Sequence, residues 1–161
     1  MSPEEIAAQI ISKLGISSPP VDIQEVCRRL GVTLLLFKRE KVGTLLGIST
    51  RMNTSSGPVN VISVNSRLST GRMRFTIAHE LGHCVLNHKG IVLSGAPGIK
   101  YSKLEESNAD RFAAELLMPD GMLAAEWCWH EPDYLARRYG VSLGAMNIRL
   151  KKYVGELRVE R

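Results

Sequence analysis

The chain of 161 residues has only three cysteines, Cys27, Cys84 and Cys128, an odd number with no CxxC or CxH spacing. Such sparse, widely separated thiols give neither a disulfide framework nor a cysteine metal site, and they are expected to stay free, as in a reducing compartment. Long apolar runs are also missing. The longest near the start, Val32 to Phe37, is interrupted by Thr33 and falls far short of the roughly 20 residues that a membrane-spanning helix needs. The opening Met1-Ser2-Pro3-Glu4-Glu5 is acidic and lacks the apolar core of a signal peptide, so a cytoplasmic location without membrane association is the expectation. Repeats and low-complexity tracts are absent. With 44% hydrophobic and 23% charged residues, the composition excludes a disordered, collagen-like or coiled-coil chain. No charge of one sign dominates either, since 21 Lys+Arg against 16 Asp+Glu leaves a net charge of only +5. A chain of this length suits one domain and can bury roughly 68–70% of its unfolded surface.

What is present begins with two short helices. Ser2 caps a first helix with Pro3 at its first position, and Asp22 caps a second over Ile23 to Leu30. Val32 to Phe37 reads as a strand, with Leu45 to Ser49 as its weaker partner across a turn from Lys38 to Gly43. A polar break at Asn53–Pro58 separates these from a third strand, Val59 to Asn65. From Arg72 to about His88 the pattern is helical, and Ser102 with Glu105 three residues later marks the start of another helix that runs to Met118. The loop between them carries Gly90, Gly95, Pro97 and Gly98, and shorter helices broken near Pro132 and Gly140 complete the chain.

The chemistry concentrates in His79-Glu80-Leu81-Gly82-His83. Four residues of helix advance by about 400°, so the two histidines lie roughly 40° apart on one face and can converge on a single cation, for which two neutral imidazoles suit Zn²⁺. Glu80, one residue round, can reach a water beside such a cation, accept its proton and deliver it to a leaving amine. A tetrahedral catalytic zinc needs a third protein ligand. Glu106 and Asp110 share one face of the helix that Ser102 caps. One division of labour makes Glu106 the ligand and Asp110 the acceptor that orients a histidine, and the opposite assignment stays open. The adjacent Glu105 points about 100° away and is explained by capping. A two-histidine, one-carboxylate set is shared with Mn²⁺ and Fe²⁺.

The block Arg74-Phe75-Thr76-Ile77-Ala78-His79-Glu80-Leu81-Gly82-His83, followed by Glu106-Ser107-Asn108-Ala109-Asp110-Arg111-Phe112-Ala113-Ala114-Glu115-Leu116-Leu117-Met118-Pro119, resembles the ImmA/IrrE family of metallopeptidases. The resemblance implies a zincin-like α+β domain with a small sheet of about three strands packed on the motif helix and a helical C-terminal portion. It also carries over Glu106 as the third ligand. A substrate class is implied as well: a DNA-binding helix-turn-helix repressor, encoded nearby, that the protease cleaves or inactivates. A peptide substrate could be held by strand addition if the strand Val59 to Asn65 had an exposed edge.

Several other residues are weaker candidates. His88 lies nine residues after His79 and projects to the far side of a continuous helix, so it is left out of the ligand set. His130 sits in a loop, and Cys84 reads as a small core residue. Tyr101, Tyr134 and Tyr139 are all available as oxyanion donors, with nothing to choose among them. From Asp133 onward, seven Lys+Arg against three acids give +4. Division into a metallopeptidase domain over 1–132 and a helix-turn-helix-like extension over 133–161 follows from Leu135–Leu150, where Gly140-Val141-Ser142 forms the turn. The second helix opens on Leu143, Gly144, Ala145 and Met146, none of which can make a bidentate base contact, so direct nucleic-acid binding is not expected. The alternative to a zinc endopeptidase is a non-proteolytic regulatory or toxin–antitoxin partner that binds a repressor or DNA through this helical segment.

Overall fold

A computed structural model describes residues 1–38, 46–89, 91–92 and 99–157. The expected turn beyond Lys38 lies outside these residues, as do Leu45, the loop residues Gly90, Gly95, Pro97 and Gly98, and the terminal charges Arg158, Glu160 and Arg161. Helix α1 (Pro3–Lys13) starts on a capping box in which Ser2 Oγ accepts the Glu5 N–H and the Glu5 carboxylate accepts the Ser2 N–H. Asp22 accepts from Gln24 and Glu25 to start α2 (Ile23–Arg29).

Strands β1 (Val32–Phe37), β2 (Gly47–Thr54) and β3 (Gly57–Asn65) form one sheet in the order β1-β3-β2. This corrects two expectations. The second strand pairs antiparallel with β3 rather than with β1, and the polar Asn53–Pro58 stretch is the tip of that hairpin, with Asn53 opposite Pro58 and Thr54 opposite Gly57. There, the Thr54 hydroxyl donates to the Gly57 carbonyl at 2.6 Å. Strand β3 is also central, with β1 running parallel along its other side, so neither of its edges is open to a peptide. The physical reason is its burial: Val61, Ile62 and Val64 are all buried, and the backbone N–H and C=O groups along both edges of so buried a strand need hydrogen-bond partners, which two flanking strands supply.

Helix α3 (Thr70–Val85) carries the histidine motif and packs against β2 and β3. It stops three residues before the expected end at His88, because Leu86 caps it and Asn87 turns into the left-handed region at φ 55°. A two-residue ribbon, β4 (Ile91–Val92) with β5 (Ile99–Lys100), leads to α4 (Lys103–Leu117). Helix α4 begins on a second capping box, between Ser102 and Glu105. Removing that cap with Ser102→Ala should cost about 1 kcal/mol in a urea-denaturation experiment, within a range of about 0.5–2 kcal/mol. An unchanged midpoint would mean that packing alone fixes the start of α4.

The helices α5 (Asp120–Leu123), α6 (Pro132–Tyr139) and α7 (Leu143–Leu157) follow. Leu135, Tyr139, Met146 and Leu150 from the last two share one buried cluster with Ile62 and Val64 of β3, Ile77 and Leu81 of α3, and Phe112 and Leu116 of α4. Arg74 ties these parts together, donating to the carbonyls of Gly140 at 2.9 Å and Val21 at 2.7 Å. The chain is thus an α+β fold with a three-stranded sheet and, among the described residues, seven helices. No described helix is long and apolar enough to cross a membrane.

Candidate metal centre

Helices α3 and α4 come close together at Gly82. A Cβ added there would lie 3.1 Å from Cδ1 of Phe112 and 3.2 Å from the Ala109 Cα. A bare glycine facing a buried alanine lets the two backbones meet, and that contact sets His79, Glu80 and His83 on α3 opposite Glu106 and Asp110 on α4.

His79 Nε2 and His83 Nε2 stand 3.0 Å apart. The Glu106 carboxylate lies 3.3 Å from the first and 3.8 Å from the second. Donors of a tetrahedral zinc with bonds of about 2.0–2.1 Å would stand about 3.3 Å from one another. Among the described residues these three form a group with metal-ligand spacing, each offering one atom within 4.8 Å of the others. The donor set therefore fits a divalent cation, and the half-exposed Glu106 leaves its approach open. Asp110 does not join the cluster. Its Oδ1 is 2.8 Å from His79 Nδ1, where it holds that ring with Nε2 turned inward.

The electrostatics suit a cation. Burial lowers the proton affinity of His79, but the hydrogen bond to Asp110 and the charges of Asp110, Glu80 and Glu106 outweigh it, so its pKa lies above the usual imidazole value. His83 is buried, and desolvation together with the neighbouring His79 and His88 pulls its pKa down to about 3. Its lone pair is free at neutral pH. Glu80 is also buried. Burial raises its pKa above the ordinary carboxylate range, with Ser49 and His79 opposing, and its Oε2 has no hydrogen-bond partner. A buried carboxylate oxygen without a partner is costly unless something in its function uses it.

Tyr101 is the one of the three candidate tyrosines found at this centre. Its ring stacks on His83 with centroids 3.6 Å apart, and its hydroxyl is 3.3 Å from Ser49 Oγ of β2. Tyr139 is fully buried in the core, and Tyr134 stands beside the exposed His130. His88 is not among the clustered donors, yet it lies against His83, with 2.8 Å between their Nδ1 atoms. Sequence reasoning missed that contact because α3 does not continue to His88. Ser49 was also missed, and its only sequence signal was its place at the end of the strand expected from Leu45. Glu105 does more than cap: its carboxylate also accepts the Lys89 N–H at 3.1 Å. Cys84, half-buried, has its thiol pushed up to about 11 by burial.

A family model described as the IrrE N-terminal-like domain, Peptidase_M78, matches residues 27–151. The radiation response metalloprotease IrrE of Deinococcus radiodurans is 36% identical over 69 residues, which are 40% of this chain and 21% of that protein. A solved structure of a Mycobacterium tuberculosis transcriptional regulator aligns with a TM-score of 0.60 at 22% identity, covering 92% of this chain and 46% of the other. At that identity it speaks for the fold alone. The chain spans less than half the length of either relative.

Proposed function

The chain belongs to the IrrE N-terminal-like family of M78 peptidases, and from that premise we propose that it is a zinc-dependent endopeptidase acting on a helix-turn-helix repressor. The observation that carries this reading is the convergence of His79, His83 and Glu106 beside a buried carboxylate, Glu80, with an unpartnered oxygen. His79, His83 and Glu106 would hold the metal. Bound there, zinc supplies positive charge that polarises a peptide carbonyl and acidifies water. Glu80 takes a proton from the attacking water and passes it to the leaving amine, a role that its raised proton affinity suits. Asp110 keeps His79 in one tautomer. Tyr101 holds the face of His83.

An extended substrate can be held by strand addition at β2, the sheet edge nearest this centre. Its first residue, Gly47, sits so close to α3 that an added Cβ would lie 2.6 Å from Cγ2 of Thr76 and 3.3 Å from Cγ of Glu80. A peptide paired along β2 would thus run past Glu80. The basic C-terminal helices favour a protein partner over DNA. Arg137, Arg138, Arg149 and Lys152 are already paired with Asp133, Glu126, Glu115 and Asp120. Leu143 and Ile148 of α7 are exposed.

The test is to incubate the purified, zinc-loaded chain with the helix-turn-helix regulator encoded beside it, with and without chelator, and to follow both proteins by mass spectrometry. Discrete cleavage products that chelator abolishes are expected. Stable binding of the regulator without any cleavage would replace the peptidase with a non-proteolytic partner protein.

A further inference from the structure

Resting on the metal reading above, we propose that His88 is a positioning residue for His83, its Nδ1 accepting the Nδ1–H of His83 so that the Nε2 lone pair of His83 is the one turned to the metal. A neutral imidazole has one nitrogen with a proton and one without. If His83 ligates through Nε2, the nitrogen that faces His79 at 3.0 Å, its single proton must sit on Nδ1. The atom 2.8 Å from that nitrogen is His88 Nδ1, with the two rings nearly edge-on at 69°. It must therefore be a bare acceptor, which places the proton of His88 on Nε2. The two metal-facing histidines are thus backed differently, His79 by the anionic Asp110 and His83 by a neutral ring.

The backbone is built to deliver His88 to this position. Helix α3 ends at Val85, and the left-handed turn at Asn87 reverses the chain, so that the His88 N–H donates to the carbonyl of His83 itself at 3.0 Å. The next residue is tied to the opposite helix, because the Lys89 N–H donates to Glu105 in the first turn of α4. The same turn of α4 that presents Glu106 to the metal thereby pins the segment that carries His88. With Tyr101 stacked on its face and His88 at its edge, the His83 ring is restrained in both directions that would swing Nε2 away.

The experiment measures zinc affinity of the metal-stripped full chain by competition with a chromophoric chelator, for the unaltered protein and for His88→Phe and His88→Gln. Phenylalanine fills the space without an acceptor, whereas the glutamine amide oxygen can accept. His88→Phe should bind zinc about tenfold to hundredfold more weakly, the usual cost of removing an orienting partner, and His88→Gln should recover most of that loss. Nitrogen-15 correlation spectra of the zinc form should show His88 protonated on Nε2 and bare on Nδ1. Zinc affinity unchanged in His88→Phe, or a proton on His88 Nδ1 in the zinc form, would overturn the proposal while leaving the metal site standing. An unaltered protein that takes up no zinc would remove the metal reading and this proposal together. Should His88→Phe fail to fold, the tautomer in the unaltered protein decides alone.

Discussion

Replacing Glu80 with glutamine should leave about one zinc per chain in place and lower the proposed repressor cleavage by about 10²–10⁴-fold. Glutamine keeps the size and shape of the side chain, so the packing around a residue only 9% exposed is preserved. What it loses is the capacity to take a proton. The unpartnered Oε2 and the burial that raises the pKa of this carboxylate both suit the proton transfer proposed for it. Initial cleavage rates and elemental analysis on the same preparation separate the possibilities. Cleavage at the original rate would remove Glu80 from the chemistry, and loss of zinc together with cleavage would make it a structural support.

Removal of the metal should lower the thermal midpoint by roughly 10 °C. Zinc held at a thousandfold excess over its dissociation constant contributes about 4 kcal/mol to the folded state, and a domain of this size loses roughly 2–4 °C per kcal/mol. The proposed ligands come from two helices that have the β4–β5 ribbon between them in the chain, His79 and His83 on α3 and Glu106 on α4. An ion shared by these ligands would hold α3 to α4. Calorimetry with zinc and with chelator gives the shift directly. His83→Ala should unfold at one temperature whether or not zinc is present. A midpoint that ignores zinc in the unaltered protein would show that the ion, if bound, does not hold α3 to α4.

Features set by neighbours three or four residues apart were legible in the sequence. The caps at Ser2, Asp22 and Ser102 formed as their spacing required, and helical periodicity put His79 next to His83. Long-range pairing was less legible. A turn after Lys38 suggested that β2 returns along β1, but β3, the most buried strand, takes both neighbours, and they pair the backbone groups along its two edges. His88 was placed on the far side of α3 by extending a helix past its end. Once the helix stops at Val85, the 100° per residue on which that placement rested no longer applies. Tyr101 could not be chosen over Tyr134 or Tyr139, since its stacking on His83 exists only after α3 and α4 have docked. The division of labour between Glu106 and Asp110, left open by a shared helix face, separates in space: Glu106 faces both histidine Nε2 atoms and Asp110 the outer nitrogen of His79.

The close approach at Gly82 gives a nominally free position in H-E-x-x-H a task of its own. A Cβ there would stand 3.1 Å from Phe112 Cδ1 and 3.2 Å from the Ala109 Cα, so α4 or the Phe112 ring would have to give by a few tenths of an ångström, on the helix that also carries Glu106. In this fold the spacing formula is thus one symbol short. The hydrogen atom on the Gly82 Cα acts as a gauge between two helices, and the reach of a carboxylate on one is measured out by the smallest side chain on the other.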